Sequence, residues 1–370
     1  MEYSWNRDCK EFLGNYACEV LKTEGYKDCS ECKFHDPIEK KILIIKLGAK
    51  GDVIRTLPLL PAIKKKYPTS HITWLVDEGS KGSLQNNPHI DKILSFNFES
   101  FLRLNQEYFD ILYCLEITPP ATLLPNLIDA KERYGYYFDK DGHPSPYNKS
   151  ANYYLERVFS DHINKTNRKT YQEMMFEICE LPYEKIHPRI YLTEKEKDYA
   201  RNFMEKNNLT ENDKIIGIHI GAAGRWISKS WNPDKIIELI AKLIPEYKII
   251  LFAGQEDIEQ QNFILDNLIT NKIIPNDPYN TLREFFSLVN ICDIMITNDS
   301  LALHTATALN KKTITLFFCT PPWEVEDYEI VKKIVSPLLE KYFYSDLYHK
   351  DLINSITAEQ VYDEIKNINL

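Results

Sequence analysis

The sequence predicts an α/β protein built from two doubly wound parallel sheets, and three observations support this prediction. The chain has 370 residues, more than the roughly 250–300 at which a single hydrophobic core usually stops growing. It contains continuous runs of Ile, Leu and Val without polar alternation, which are typical of parallel strands covered on both faces. These runs alternate with longer helical patterns, first in one half of the chain and then again in the other.

The predicted strands are short apolar runs, four in each half of the chain. They lie at residues 42–47, 72–76, 93–96, 111–117, 215–220, 249–253, 294–297 and 313–318. Amphipathic stretches at 234–243 and 282–289 predict helices between the strands of the second half. Thr357 is the predicted N-cap of a short last helix, because acidic residues follow it in the first turns.

The chain is predicted to divide into three segments. Residues 1–38 are a Cys-rich N-terminal segment, residues 39–192 a first doubly wound domain, and residues 193–370 a second one. The boundary follows from two breaks at proline, Pro182 and Pro188, which precede a charged helical pattern.

Composition and charge exclude several classes of function. The net charge is -9 and the pI is near 5.6, which argues against a broad nucleic-acid-binding surface. The sequence has no run of 18 apolar residues, and its polar N-terminus lacks the features of a secretory signal. We therefore expect a cytoplasmic protein that binds no nucleic acid and keeps its eight cysteines out of disulfides.

The first chemical motif is KLGAKGDVIRT at residues 46–56, directly after the first predicted strand. Its glycines allow a sharp turn and a close approach of a ligand to the backbone. The glycine spacing matches neither the dinucleotide-binding loop nor the P-loop, so the motif predicts neither NAD nor ATP. Asp52 lies where the next helix begins, at the strand end where open α/β sheets bind ligands. A helix-capping Asp52 is the alternative.

The second motif is HIGAAGRWISKSW at residues 219–231, after the first strand of the second half. This loop presents Arg225, Ser228 and Lys229 at a strand end, where backbone N–H groups and cations can bind a diphosphate. A basic surface loop that binds nothing is the alternative.

Two further motifs stand at strand ends in the second half. Glu256 follows a predicted strand, where an acid can accept hydrogen bonds from ribose hydroxyls, although a helix-capping acid would look the same. In the fourth motif, TNDSLALHTA from Thr297 onward, Asp299 and Ser300 begin a helix and His304 lies about one turn further along. N–H groups at a helix start bind phosphate. A His in an Ala-rich helix is otherwise a packed core residue.

Taken together, the four motifs resemble the pattern of glycosyltransferase family 9, whose members include ADP-heptose:lipopolysaccharide heptosyltransferases. The resemblance runs from about Lys41 to about Phe318 and is weaker in the last helix. It implies the GT-B fold, in which two Rossmann-like domains face each other across a cleft. Residues 39–192 would then form the acceptor domain and residues 193–370 the nucleotide-sugar-binding domain. It also implies inverting transfer that requires no metal or other catalytic cofactor.

The resemblance assigns roles to individual residues. Asp52 matches the general base, Lys229 the residue that binds the donor diphosphate, and Glu256 the acid on the ribose side. The residues matched to the nucleotide-binding helix start are Asp299, Ser300 and His304, and Ser228 joins them in the predicted donor site.

The chemistry of such a transfer explains these residue types. An acceptor hydroxyl attacks the anomeric carbon while a nucleoside diphosphate leaves from the opposite face. A carboxylate that takes the hydroxyl proton contributes roughly 10²–10⁴-fold, and cations with oriented N–H groups stabilise the leaving phosphate. The expected partners are a nucleotide sugar, ADP-heptose by the resemblance, and a glycan or glycolipid acceptor such as lipopolysaccharide core. A peripheral contact with the inner membrane face is a further expectation.

Four cysteines before the first strand form a separate candidate site. Cys9, Cys18, Cys29 and Cys32 lie close together in the sequence and end in a C-x-x-C pair. Four thiols with such a pair suit tetrahedral zinc in a structural role. His35 is a spare candidate ligand, and free thiols or a redox role are the alternatives.

Two other functions are compatible with these motifs. A nucleotide-sugar epimerase of the same fold would need no acceptor. A non-catalytic nucleotide-sugar-binding protein would keep the cleft without the chemistry, although Asp52 together with Lys229 argues against it. Binding and turnover of nucleotide sugars separate the three functions.

Overall fold

The computed structural model describes residues 5–12, 14, 16–221, 227–268 and 270–368. The chain forms two compact units. The first takes in Met1–Gly48, Pro58–Asn164 and Glu173–Glu184, and the second Ala49–Leu57, Lys165–Gln172 and Lys185–Leu370. The second unit therefore includes the short segment with Asp52, which follows the first strand. The boundary at residue 193 stays a prediction.

The first unit contains a six-stranded sheet within the described residues. Its strands are β1 (Lys40–Ile45), β2 (Ser70–Val76), β3 (Lys92–Ser95), β4 (Tyr108–Cys114), β5 (Asp129–Phe138) and β6 (Pro144–Pro146). Their order is β3-β2-β1-β4-β5-β6, parallel apart from the antiparallel pair of β5 with β6. This is the doubly wound Rossmann order, in which the direction of winding reverses between β1 and β4.

Helices connect the strands in the first half of the chain. They are α1 (Glu19–Glu24), α2 (Lys50–Thr56), α3 (Leu59–Lys66), α4 (Phe98–Leu104), α5 (Pro119–Thr122), α6 (Lys149–Phe159), α7 (Asp161–Thr166) and α8 (Tyr171–Ile178). Asn97 and Asn148 cap α4 and α6, because the side chain of each accepts a hydrogen bond from the backbone N–H three residues later.

The second unit repeats the same sheet. Its strands are β7 (Ile215–His219), β8 (Lys248–Phe252), β9 (Ile273–Pro275), β10 (Ile294–Asn298), β11 (Lys312–Phe317) and β12 (Val331–Val335). Their order is β9-β8-β7-β10-β11-β12, and every neighbouring pair is parallel. The winding direction reverses between β7 and β10, as it does between β1 and β4.

Helices of the second half cover this sheet. They are α9 (Glu194–Lys206), α10 (Pro233–Leu243), α11 (Ile258–Asp266), α12 (Leu282–Asn290), α13 (Leu301–Ala308), α14 (Lys350–Ile353) and α15 (Ala358–Lys366). Thr193, Thr281 and Thr357 form capping boxes at the starts of α9, α12 and α15. Thr357 is therefore the cap that the sequence predicts. Of the helices in the described part of the chain, none combines the length and apolarity that crossing a membrane requires.

The two faces of the second sheet are both buried, which explains its continuous apolar runs. Ile216 and Ile218 of β7 belong to one buried cluster with residues of α10 and α15. Ile215 and Met295 belong to another, with residues of α12 and α13. Successive strand residues point to opposite faces, so a strand covered on both sides is apolar throughout.

All eight predicted strands are confirmed, with small shifts of their ends. The run at 111–117 shifts most, because β4 begins at Tyr108 and ends at Cys114. The structure adds β5, β6, β9 and β12, which the apolar runs do not predict. Within β5, a glycine is required at residue 135: its φ is +89°, and a Cβ atom there would lie 1.8 Å from the carbonyl oxygen of Cys114.

Candidate active site

The predicted donor residues lie at the switch point of the second sheet. β7 and β10 are neighbours there, and the winding direction reverses between them. Lys229 ends a short 3₁₀ turn (Ile227–Lys229) after β7, and Asp299 follows β10 directly. Open α/β sheets bind ligands at this point, outside the carboxyl ends of the strands. Residues 222–226 of the same motif, including Arg225, lie outside the described residues.

Lys229 and Asp299 form an ion pair at this edge. Nζ of Lys229 lies 3.1 Å from Oδ2 of Asp299, and the two side chains are 15% and 19% exposed. Burial raises the pKa of Asp299, but the charges of Lys229, His304 and Arg55 outweigh burial and hold this pKa well below its usual value. An ammonium and an ionised carboxylate are therefore fixed side by side at the end of β10.

Helix α13 begins beside this ion pair. Ser300 is its N-cap, and Oγ of Ser300 accepts a hydrogen bond from the backbone N–H of Ala302 at 3.3 Å. Asn298, 2% exposed, has a side-chain Nδ2 without a hydrogen-bond partner among the described residues. Burial of an unpaired amide is unfavourable. The end of β10, next to the start of α13, therefore carries a buried donor group without a partner among the described residues.

Helix α2 packs closely on α13 within the second unit. A Cβ atom at Gly51 would lie 2.7 Å from Cδ2 of His304, so a residue without a side chain is needed for this approach. Burial, together with the charge of Arg55, lowers the pKa of His304 to about 4. The His304 imidazole is therefore neutral near pH 7. Because Asp52 is the next residue after Gly51, the contact brings the predicted base to the predicted nucleotide-binding helix.

Asp52 lies in the first turn of α2 and not at its cap. The helix begins at Lys50 and its N-cap is Ala49. Oδ1 of Asp52 accepts a hydrogen bond from Nε of Arg55 at 3.0 Å and lies 2.9 Å from Nη2 of the same residue. The Asp52 side chain is 33% exposed. The structure thus favours an accessible, ion-paired carboxylate over a capping one.

Ser228 contacts a different part of the second unit. Its hydroxyl donates to the carbonyl oxygen of Leu347 at 2.8 Å and accepts from the backbone N–H of His349 at 2.9 Å. The side chain is completely buried. Ser228 therefore ties the segment before α14 to the turn that carries Lys229, and its role in donor binding stays a prediction.

Glu256 is exposed in the 3₁₀ turn Gln255–Asp257, shortly after β8 ends at Phe252. The neighbouring carboxylate of Asp257 accepts a hydrogen bond from the backbone N–H of Gly254 at 3.2 Å. Asp257 thus stabilises the turn, which leaves Glu256 on the surface at the carboxyl edge of the sheet. Contact of Glu256 with a ribose also stays a prediction.

Comparison with known proteins decides the family. The family model for glycosyltransferase family 9 (heptosyltransferase) matches residues 99–343, more than half of the chain. The chain belongs to glycosyltransferase family 9. This confirms the family that the motifs predict, and the family 9 chain is accordingly a glycosyltransferase.

Similar proteins support the same family and fold. Lipopolysaccharide heptosyltransferase 1 of Campylobacter coli is 28% identical over 317 residues, which cover 80% of this chain and 89% of that protein. A crystal structure of a family 9 glycosyltransferase from Veillonella parvula has a TM-score of 0.70 at 21% identity, covering 89% and 97% of the two chains. The structure of E. coli ADP-heptose lps heptosyltransferase II has a TM-score of 0.66 at 21% identity, covering 88% and 98%. These likenesses confirm the GT-B fold with its two Rossmann-like domains.

The N-terminal cysteines of this family 9 chain line one cavity. Cys9, Cys18, Cys29 and Cys32 surround it together with His35. The backbone N–H of Cys32 donates to the carbonyl oxygen of Cys29 at 3.3 Å, which closes the C-x-x-C turn. All eight cysteines lie in the described part of the chain, and none forms a disulfide. Within that part, no group of three or more His, Cys, Asp or Glu side chains is arranged to hold a metal ion, so the zinc stays a prediction.

Sequence reasoning misses a buried ion pair at the switch point of the first sheet of this glycosyltransferase. Nζ of Lys46 lies 3.0 Å from Oε2 of Glu116, with the side chains 5% and 11% exposed. Lys46 follows β1 and Glu116 follows β4, 70 residues later, so no local pattern joins them. Arg55 is also missed as the partner of Asp52, although its spacing of three residues on a predicted helix is a readable signal.

The second unit of this family 9 glycosyltransferase thus assembles the groups that a transfer reaction needs. Lys229, the N–H groups at the start of α13 and Asn298 can bind an anionic leaving group. Asp52 adds an accessible carboxylate on the helix that packs against α13. The site combines a lysine and a helix start at the edge of the sheet with a carboxylate on α2, within one compact unit.

Proposed function

We propose that this glycosyltransferase transfers a heptose from ADP-heptose to a hydroxyl of a glycan of the lipopolysaccharide core, with inversion and without a catalytic metal. The similar proteins support the donor and the acceptor, because one is named lipopolysaccharide heptosyltransferase 1 and another ADP-heptose lps heptosyltransferase II. The observation that carries the proposal is the contact of α2 with α13, which joins a carboxylate to an anion-binding helix start. Cytoplasmic location and contact with the inner membrane face belong to the same proposal.

The donor diphosphate binds at the switch point between β7 and β10. Lys229 gives up part of its contact with Asp299 and contacts the phosphate oxygens instead. Nδ2 of Asn298 gains the hydrogen-bond partner that it lacks among the described residues. The first N–H groups of α13 lie at the positive end of the helix dipole, which attracts the phosphate. Glu256 accepts hydrogen bonds from the ribose hydroxyls, and Ser228 holds the turn that carries Lys229.

The transfer is a single displacement at the anomeric carbon. The oxygen of the acceptor hydroxyl forms the new bond to this carbon while Asp52 takes the hydroxyl proton. The bond from carbon to the diphosphate oxygen breaks with its electron pair, and ADP leaves from the opposite face, which inverts the configuration. Lys229 and the start of α13 stabilise the negative charge that develops on ADP. The positive charge needed at the leaving group therefore comes from the chain itself.

A screen of nucleotide sugars tests this function. ADP-heptose should bind, and ADP release should require a lipopolysaccharide-core acceptor, because transfer consumes both substrates. Conversion of a nucleotide sugar without an acceptor would indicate an epimerase, and binding without turnover a non-catalytic protein. Much tighter binding of UDP or GDP than of ADP would contradict the heptose donor and leave the fold unaffected.

Lys229→Ala tests the donor site directly. We expect ADP binding to weaken by roughly 1.5–3 kcal/mol, the range for hydrogen bonds to charged groups, while Lys229→Arg retains most of the affinity. Isothermal titration with ADP measures both. Lys235→Ala is the matched control, since Lys235 pairs with Glu238 on the surface of α10 in the same unit. Equal ADP affinity in Lys229→Ala and the control would remove Lys229 from the donor site.

The N-terminal segment binds a structural metal in this proposal. Four thiols and an imidazole line one cavity, and thiolates with such neighbours suit zinc. Because no three of the candidate ligands are arranged to hold a metal ion among the described residues, metal binding has to draw these side chains together. The metal has no part in the transfer reaction.

A further inference from the structure

Arg55 contacts both Asp52 and an aromatic ring. Its Nε and Nη2 lie 3.0 and 2.9 Å from Oδ1 of Asp52. Its guanidinium carbon lies 3.8 Å from the centroid of the Tyr171 ring, which is the geometry of a cation–π contact. The Arg55 side chain is 15% exposed, and Tyr171 is completely buried. The guanidinium is therefore held on a rigid surface and is not a mobile surface charge.

Tyr171 also contacts the residue after Arg55. The hydroxyl of Tyr171 lies 3.1 Å from Oγ1 of Thr56, and Oγ1 of Thr56 donates to the carbonyl oxygen of Asp52 at 2.6 Å. Tyr171 comes 115 residues after Thr56 in the sequence. The first residue of α8 thus fixes the last turn of α2 at two points, Arg55 and Thr56, and all these residues belong to the second unit.

We propose that Arg55 is a positioning residue that orients the carboxylate of Asp52, and that Tyr171 holds Arg55 in place for this purpose. The inference rests on the proposed function, in which Asp52 takes the proton of the acceptor hydroxyl. A carboxylate turns freely among its rotamers unless a partner fixes it. Two N–H groups on the same oxygen restrict that rotation, and a base must lie within hydrogen-bond reach of the proton that it abstracts. Arg55 also favours the ionised carboxylate, the form that acts as a base.

An ordinary helix ion pair is the competing explanation, and the chain contains a matched example. Asp198 and Arg201 on α9 have the same spacing of three residues, and both side chains are more than half exposed, at 57% and 56%. Exposed pairs of this kind contribute little to stability. Arg201→Gln therefore shows what the loss of such a pair does by itself.

Several charged or titratable groups lie on α2 and on the segments packed against it. His304 faces α2 from α13, with Asp299 and Lys229 close enough for their charges to act on it. Glu326 lines a small cavity with Arg55 and His304. The groups to be considered are Lys50 and Arg55 on α2 itself, His304, Asp299, Lys229, Glu326 and Tyr171. Variants of Arg55 keep all the other side chains, but they also remove a charge that lowers the pKa of His304 and of Asp299.

Acceptor-dependent ADP release across a pH series tests the inference. In Arg55→Gln we expect kcat to fall roughly 10- to 100-fold with an unchanged KM for the donor. The acidic limb of the profile should move up by about one pH unit or more, because the positive charge beside the base is lost. Arg55→Lys should lie between this variant and the wild type. Tyr171→Leu should shift the limb in the same direction, whereas Tyr171→Phe retains the ring and should not.

Further variants separate this inference from the proposed function. Arg55→Gln should cause no additional loss in an Asp52→Asn background, since both changes act on the same base. A further loss of turnover from Arg55→Gln in that background would overturn the positioning role. A normal pH profile in Arg55→Gln would overturn it as well, and so would a loss of turnover no larger than that in Arg201→Gln. If Asp52→Asn abolishes turnover while Arg55→Gln is normal, only the inference fails. If Asp52→Asn is active, the inference and the assigned base fail together.

Discussion

Two partly buried histidines in the second unit, His219 at the end of β7 and His304 on α13, make the stability of the protein depend on pH. Burial lowers the pKa of His219 to about 4, and burial with the charge of Arg55 lowers the pKa of His304 to about 4. In an unfolded chain a His titrates near 6.5. As the pH falls, the unfolded state therefore takes up protons first. The contribution of the two neutral histidines to the free energy of unfolding is therefore complete above about pH 6.5. It is lost as the pH falls from about 6.5 to 4.

A variant of His304 tests this pH dependence. Over this window, the free energy of unfolding should fall less steeply with falling pH in His304→Gln than in the wild type. The two slopes should differ by up to about 1.4 kcal/mol per pH unit. Urea unfolding at pH 7, 6 and 5 measures the slope. His143→Gln, at an exposed position of the first unit, is the control and should leave the slope unchanged. Identical slopes in His304→Gln and the wild type would contradict the prediction.

The clustering of most candidate-site residues can be predicted from the sequence, because each motif stands at a strand end that the apolar runs mark. Lys229, Asp299 and Ser300 are examples, and the structure brings all three to one edge of the second sheet. Contacts that join distant parts of the chain cannot be predicted in this way. Tyr171 is such a case, since nothing near it in the sequence points to Arg55.

At the level of elements, the strands with a continuous apolar run are predicted, including the partly exposed edge strand β3, whereas β5, β6, β9 and β12 are not. β5 carries alternating polar residues, with a burial pattern that changes along the strand, and it lies near the edge of the sheet. β12 contains two lysines and forms an edge, and β9 is only three residues long. β12 and β9 contribute few buried residues to the sheet, so their sequences lack the long apolar run on which the prediction depends.

The packing of α2 on α13 depends on Gly51. We expect Gly51→Ala to destabilise the protein by about 1–3 kcal/mol, the usual range for overpacking, because the added methyl group meets the ring of His304. Gly48→Ala is the control, since a Cβ atom there would lie 3.4 Å from Oδ2 of Asp77, close to an ordinary contact. Thermal unfolding compares the two. His304→Ala should relieve the loss in Gly51→Ala, and a double variant without such relief would count against the contact.

The cysteine segment makes a separate prediction. If Cys9, Cys18, Cys29 and Cys32 bind one ion, the purified protein should carry about one equivalent of zinc or iron, and Cys29→Ser should lower both occupancy and melting temperature. Elemental analysis and thermal unfolding measure these effects. Cys292→Ser is not a suitable control, because Cys292 is buried in the core. Ser30→Ala lies between the paired cysteines and should retain the metal. Metal-free protein with an unchanged melting temperature in Cys29→Ser would exclude the site.

At the scale of the whole molecule, the two units build the same sheet but expose its switch point to different extents. Both have the Rossmann strand order, and both place a lysine–carboxylate pair at the switch point, Lys46 with Glu116 and Lys229 with Asp299. In the first unit the pair is almost completely buried, whereas in the second it is partly accessible beside a helix start. Access to such a pair, and not the fold alone, makes the second edge suitable for a charged donor.

The central claim is that Asp52 is the base of a transfer reaction whose donor binds at α13. Asp52→Asn keeps the size of the side chain and its ability to accept a hydrogen bond from Arg55, but it removes the proton acceptor. Acceptor-dependent ADP release should therefore fall roughly 10²–10⁴-fold, while ADP affinity and melting temperature change little. The most direct test is this rate measured in Asp52→Asn and the wild type, with ADP titration on the same samples. Turnover close to that of the wild type in Asp52→Asn would contradict the claim.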